Sequence, residues 1–203
     1  PANYKSAKGI CIYLDDGRKI KDFTMCGIGT SILGYAHPRI ARSIYQAYRK
    51  GSLTTINSNI ELDLADELLK LHPWGNKVRF ARTGGEVAAI AIRLARAATG
   101  RTKILVHGYH GWHDWYLAAA LKCSTSLDDF LLPSIPINGV PKELVNTTES
   151  INELSLESIK NAIEGKEKPA AVVIEIARHK LASSSILLDI QDYCNKNSIF
   201  LII

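Results

Sequence analysis

The spacing of apolar and polar residues changes character near position 78, and two kinds of structure follow from it. Upstream, Ile10-Cys11-Ile12-Tyr13-Leu14, the turn Asp15-Asp16-Gly17-Arg18 and the segment Lys19 to Phe23 predict a hairpin over 9–23. Pro38 to Lys50 predicts a helix, with proline in its first turn and Gly51 just past its end. A second helix is predicted over Asn59–Leu71, opened by a Ser58/Glu61 capping box and followed by Pro73. Downstream, strands are predicted at Val78–Ala81, Lys103–His107, Ala170–Glu175 and Ile199–Ile203. Helices at Gly85–Thr99, Ser155–Glu164 and Ser185–Lys196 separate them, and 116–150, with Pro133, Pro136, Gly139 and Pro141, reads as irregular. Continuous apolar strands alternating with helices predict an α/β fold: a mostly parallel sheet flanked by helices, with part of a small α+β segment at the N-terminus. The expected organisation is 1–50 as a hairpin-and-helix segment and 51–203 as a larger, incomplete domain.

In open α/β sheets ligands bind outside the carboxyl ends of the strands. Those ends are Arg82–Gly85, Gly108–Asp114 and Glu175–Arg178, where the most unusual residues of the chain gather. Thr83-Gly84-Gly85-Glu86 is a capping box, and its paired glycines permit close approach of backbone N–H groups to a ligand. With the helix dipole behind them, such donors suit a phosphate. Tyr109 and Trp112, set between glycines at a strand end, are suited either to stacking or to the core. Glu175 ends a strand of apolar residues, where a carboxylate is costly unless paired. It reads either as an ion-pair partner of Arg178 or Arg82, or as a carboxylate at the floor of the site. His107, His110 and His113 recur every three residues, but Gly108 and Gly111 interrupt any helix that would align them, and no metal site is expected. Gly27, Gly29 and Gly34 lack the spacing of a dinucleotide fingerprint.

Composition narrows the classes further. At 203 residues and 46% hydrophobic, the chain can bury a sizeable core. No apolar run is long enough for a membrane span, and the first residues show no signal-peptide core. The net charge of +5 is uneven: residues 1–103 hold 17 Lys+Arg against 8 Asp+Glu, and the remainder 8 against 12. The basic residues are scattered over several elements, so a nucleic-acid footprint is not expected. Cys11, Cys26, Cys123 and Cys194 form no CxxC pair and read as free thiols of a reducing, cytoplasmic protein.

Taken in order, these pieces resemble the class III aminotransferases of the fold-type-I pyridoxal-phosphate family, and within it the glutamate-1-semialdehyde-aminomutase-like branch. Asp16-Gly17 to Phe23 resembles the family's D-G-x-x-x-x-D-F hairpin. Gly27-Ile28-Gly29-Thr30 through Leu33-Gly34-Tyr35-Ala36-His37-Pro38 resembles its glycine-rich stretch, and Glu61 to Leu68 the helix before its cofactor domain. Val78-Arg79-Phe80, Thr83-Gly84-Gly85-Glu86 and Ile92 to Arg101 resemble its phosphate turn and following helix; Tyr109-His110-Gly111 and Val172-Val173-Ile174-Glu175 complete the series.

The resemblance implies pyridoxal 5′-phosphate as cofactor, with Thr83, Gly84 and Gly85 at the phosphate, Tyr109 stacked on the ring, His110 and Gly111 completing that motif, and Glu175 beside it. The family's turn is usually Ser-Gly-Thr, so Thr83-Gly84-Gly85 carries one hydroxyl fewer, and Ile176 stands where a proline usually follows the glutamate. The resemblance also implies a small-molecule amino donor, a carbonyl acceptor and a homodimer with an interface active site. The ring-nitrogen Asp and the Schiff-base Lys are expected beyond Ile203, so no catalytic residue is assigned within the chain and these 203 residues alone are expected to be inactive. The rival expectation is a catalytically inactive remnant that binds a phosphorylated ligand or only mediates interaction.

Overall fold

The computed structural model describes residues 2–51, 54–130, 136–177 and 181–203. They form two compact units, Pro1–Val78 and Arg79–Ile203. The expected boundary at 50/51 therefore falls inside the first unit.

The first unit opens with an antiparallel sheet of β1 (Tyr4–Lys8), β2 (Cys11–Leu14) and β3 (Lys19–Lys21), in that order. The predicted hairpin is β2–β3, closed where Leu14 N–H donates to the Arg18 carbonyl at 2.9 Å. β1 is an addition: Tyr-Lys-Ser-Ala-Lys has no apolar alternation to announce it, and its pairing with β2 supplies its order instead. A short helical turn, α1 (Met25–Ile28), precedes α2 (Pro38–Arg49) and α3 (Asn59–Leu71). The expected cap of α3 is present, with Ser58 Oγ accepting from Glu61 N–H.

The second unit contains α4 (Gly84–Thr99), β4 (Ile104–His107), α5 (Asp114–Leu117), β5 (Thr148–Ser150), α6 (Leu156–Ile163), β6 (Ala171–Ile174), α7 (Ser184–Lys196) and β7 (Phe200–Ile202). The sheet order is β5-β4-β6-β7, with every pair parallel. Alternate residues of its two central strands go to opposite faces, as the pleat requires. Ile104, Val106, Ala171 and Val173 pack on one face with Ile92 and Ala95 of α4 and with Trp115 to Leu117 of α5. Leu105, Val172 and Ile174 pack on the other with Ile159 and Ile163 of α6 and Ile190 and Cys194 of α7. Both faces are covered, which is why these strands read as unbroken apolar runs.

Two expectations are corrected. Val78–Ala81 is not a strand: a strand is defined by pairing with a neighbour, and no described strand runs beside these residues. The segment 116–150, expected to be irregular, contains part of α5, 3-10 turns at Ala118–Leu121 and Lys142–Leu144, and the edge strand β5. β5 is Thr-Glu-Ser, a sequence without apolar signal, and hydroxyl groups secure its surroundings. The buried Thr148 hydroxyl donates to the Trp115 carbonyl, Ser150 Oγ to the Ser126 carbonyl at 2.7 Å, and Ser126 Oγ to the Ala119 carbonyl at 2.8 Å.

Candidate active site

The N-terminus of α4 is built as its sequence predicts. Thr83 is the N-cap in extended backbone, and its Oγ1 accepts from Glu86 N–H at 3.2 Å. The Glu86 carboxylate returns one residue earlier than a standard capping box and accepts from Arg82 N–H at 2.9 Å. The N–H groups of Gly84 and Gly85 come first in the helix and have no acceptor among the described residues. Two backbone donors, the dipole of a sixteen-residue helix and the Thr83 hydroxyl proton thus remain available to an anion.

The loop after β4 is held by β6. The register sets His107 opposite Ile174, and Glu175 N–H donates to the His107 carbonyl at 3.0 Å. Glu175 Oε2 in turn accepts from Tyr109 N–H at 2.8 Å. Its side chain crosses Gly108 so closely that a Cβ there would meet the carboxylate oxygen at 2.7 Å, and Gly108 has φ +90°; only glycine fits both conditions. Sequence reading left Glu175 as either an ion-pair partner or a floor carboxylate; the structure shows it fixing the backbone that carries Tyr109. Arg178 lies outside the described residues, and Arg82 makes no ion pair among them.

His110 braces the same loop from inside. Its Nε2 lies 2.8 Å from the His107 carbonyl, which requires the proton on that nitrogen. Its ring meets Tyr116 at 5.8 Å between centroids and Trp115 at 6.4 Å. Tyr116, fully buried, donates its hydroxyl to the Gly108 carbonyl at 2.7 Å. Burial pushes both His107 and His110 below the usual imidazole range, with Glu175 opposing the shift. Tyr109 lies half-buried, edge-on to Tyr116 at 6.3 Å. The braces Trp115 and Tyr116 were not singled out as site residues by sequence; their run of aromatic residues after a glycine was the available signal.

The phosphate turn and the aromatic loop adjoin one another. A Cβ on Gly111 would stand 4.0 Å from the Gly85 Cα, and one on Gly85 would collide with the His113 ring, whose Cδ2 is 2.7 Å from that position. The third histidine is thus against the turn, while His107 packs on Phe130 at 5.4 Å. Among the described residues no three metal-ligating side chains converge. A concave turn with unpaired donors beside a loop bearing Tyr109 fits a flat, phosphorylated group.

The parallel sheet flanked by helices, with the glycine turn and the aromatic loop at its carboxyl edge, has the fold of the fold-type-I transferases. The family model described as aminotransferase class-III matches residues 1–203, and the chain belongs to that family. The glutamate-1-semialdehyde 2,1-aminomutase of Sulfurisphaera tokodaii is 30% identical over 200 residues, covering 96% of this chain and 45% of that protein. A solved transaminase with pyridoxal phosphate bound superposes with a TM-score of 0.83 at 27% identity, covering 99% of this chain and 47% of that one. An omega-transaminase from Sphaerobacter thermophilus shares the fold with a TM-score of 0.83 at 24% identity, over 99% of this chain and 48% of that one. The chain spans less than half the length of the relatives it matches here.

Proposed function

We propose that this chain is the cofactor-domain portion of a pyridoxal-phosphate-dependent aminotransferase or aminomutase. The observation that carries the reading is the meeting of Gly85 and Gly111, which puts two unpaired helix donors beside the Tyr109 loop. In this reading Thr83, Gly84 and Gly85 take the phosphate, Tyr109 takes a face of the ring, and Gly111 leaves room between them. Glu175 and His110 set the Tyr109 backbone from below and inside rather than reaching the ring themselves. Bound there, the cofactor supplies an electron sink for charge developing at the substrate Cα. An amino donor and a carbonyl acceptor are the corresponding substrates.

Assembly as a homodimer is part of the same proposal, supported by Ile40, Ile44 and Tyr48, which recur every four residues on α2 and are all exposed. A cytoplasmic location is supported by four free thiols. No helix among the described residues is long and apolar enough to cross a membrane.

The test is cofactor retention and amino-group transfer by the full-length protein, followed by absorbance. The Tyr109→Ala variant is expected to lose about 1–3 kcal/mol of cofactor affinity, comparable to removing one aromatic stacking partner. Unchanged retention in that variant would show that the ring lies elsewhere.

A further inference from the structure

The space that a side chain at position 85 would fill is occupied by an imidazole from elsewhere in the sequence. His113 lies against Gly85, with Nε2 closer to the ideal Cβ position than the 2.7 Å of Cδ2. It is fixed there by its own backbone: His113 is the N-cap of α5, and its carbonyl accepts from Tyr116 N–H at 2.9 Å and Leu117 N–H at 3.1 Å. The Trp112 ring packs edge-on against it at 5.7 Å. The ring nitrogens of His113 have no hydrogen-bond partner among the described residues, although the side chain is half-buried. The imidazole is a further donor beside the two unpaired helix N–H groups and the Thr83 hydroxyl.

We propose that His113 donates a hydrogen bond to the phosphate monoester bound at the Gly84–Gly85 turn, replacing the side chain that Gly85 lacks. The inference rests on the reading of that turn as a phosphate site. It also accounts for the paired glycines: a hydroxyl-bearing residue at 85 and an imidazole at 113 cannot share one volume. Four donors, two backbone N–H groups, the Thr83 hydroxyl and the imidazole, then surround the phosphate, whose negative charge strengthens each bond.

The experiment compares pyridoxal 5′-phosphate with pyridoxal, which lacks the phosphate, by equilibrium titration of the purified full-length protein. The quotient of the two dissociation constants isolates the phosphate contacts, because the remaining contacts are common to both ligands. His113→Ala is expected to shrink that quotient about tenfold or more, the worth of one charge-assisted hydrogen bond, and to leave pyridoxal binding unchanged. His113→Asn, which keeps a shorter donor and the fold of the loop, is expected to lie between the two. Gly85→Thr alone is expected to weaken phosphate discrimination by displacing the imidazole, and the double variant His113→Ala/Gly85→Thr to recover most of it. Discrimination unchanged in both His113 variants would overturn the inference while leaving the phosphate site standing. A double variant no better than Gly85→Thr alone would overturn the replacement of one group by the other. A wild-type protein that does not discriminate between the two ligands would remove the phosphate site itself, and the inference with it.

Discussion

The two units of this chain treat apolar side chains in opposite ways. In Arg79–Ile203, Leu105, Val172, Ile159 and Ile190 are all fully buried, shared between one sheet and two helices. In Pro1–Val78, only Leu14 and Cys26 are buried apolar residues among those described, while Phe23, Ile28, Ile32, Tyr48 and Trp74 are each more than 70% exposed. Burial of a Leu or Ile side chain is worth about 1.5–3 kcal/mol. The second unit collects that stabilisation within itself. The first leaves it uncollected on its own surface, which is the pattern of a segment whose apolar face is completed by other protein.

The largest test of this contrast is a pair of truncations. Leu105→Ala is expected to destabilise the second unit by about 2–5 kcal/mol, because a cavity opens against α6 and α7. Ile44→Ala is expected to change the folding of the chain by less than about 0.5 kcal/mol and to shift its association instead. Chemical denaturation and sedimentation of the two variants separate the effects; an Ile44→Ala variant that unfolds as readily as Leu105→Ala would erase the contrast.

Acid sharpens it next. His107 and His110 have folded values pushed below the ordinary 6.5 by burial, so the unfolded second unit binds more protons in that window. Its stability is therefore expected to fall as pH drops below about 6.5 and to level off once the folded values are passed. In the first unit, hydrogen bonds from Thr24 and then Tyr35 hold the Asp22 carboxyl down to about 2. Its contribution is present above the ordinary 3.8 and is lost as pH falls through about 2. Amide protection, taken relative to the intrinsic exchange rate at each pH, is expected to fall first in the second unit between pH 7 and 4; simultaneous loosening of both would refute the assignment.

The smallest effect is chemical. Burial pushes the Cys194 thiol up to about 11, whereas Cys123 is exposed and a hydrogen bond from Thr125 holds it below its usual range. Cys123 is expected to react first with a thiol reagent and Cys194 only when the second unit opens, as a mass-resolved labelling series would show.

What was legible in the sequence follows the range of the forces involved. The starts of α3 and α4 were readable because Ser58 and Thr83 meet their partners three residues away. The paired glycines and the aromatic loop were readable for the same reason, as local turns with unusual side chains. β5 was not, because Thr148 and Ser150 are anchored by carbonyls of residues 115 and 126, which no local pattern reveals. Val78–Ala81 was misread in the converse way: local character suggested a strand, and strands depend on neighbours. Within the site, the bond from Tyr109 N–H to Glu175 spans 66 residues, and the contact between Gly85 and His113 joins two separate turns. Sequence offered Tyr109, Gly85 and Glu175 as candidates and could not state what each touches.

The hydroxyl bonds around β5 give the sheet a direction. At that rim Thr148, Ser126 and Ser150 tie the edge to the segment packed on it, and a polar strand of three residues offers little to an incoming chain. At the other rim β7 is Phe-Leu-Ile, with Phe200 49% exposed. Among the described strands, a layer sealed along one border and apolar along the other offers one margin, not two, to a further strand.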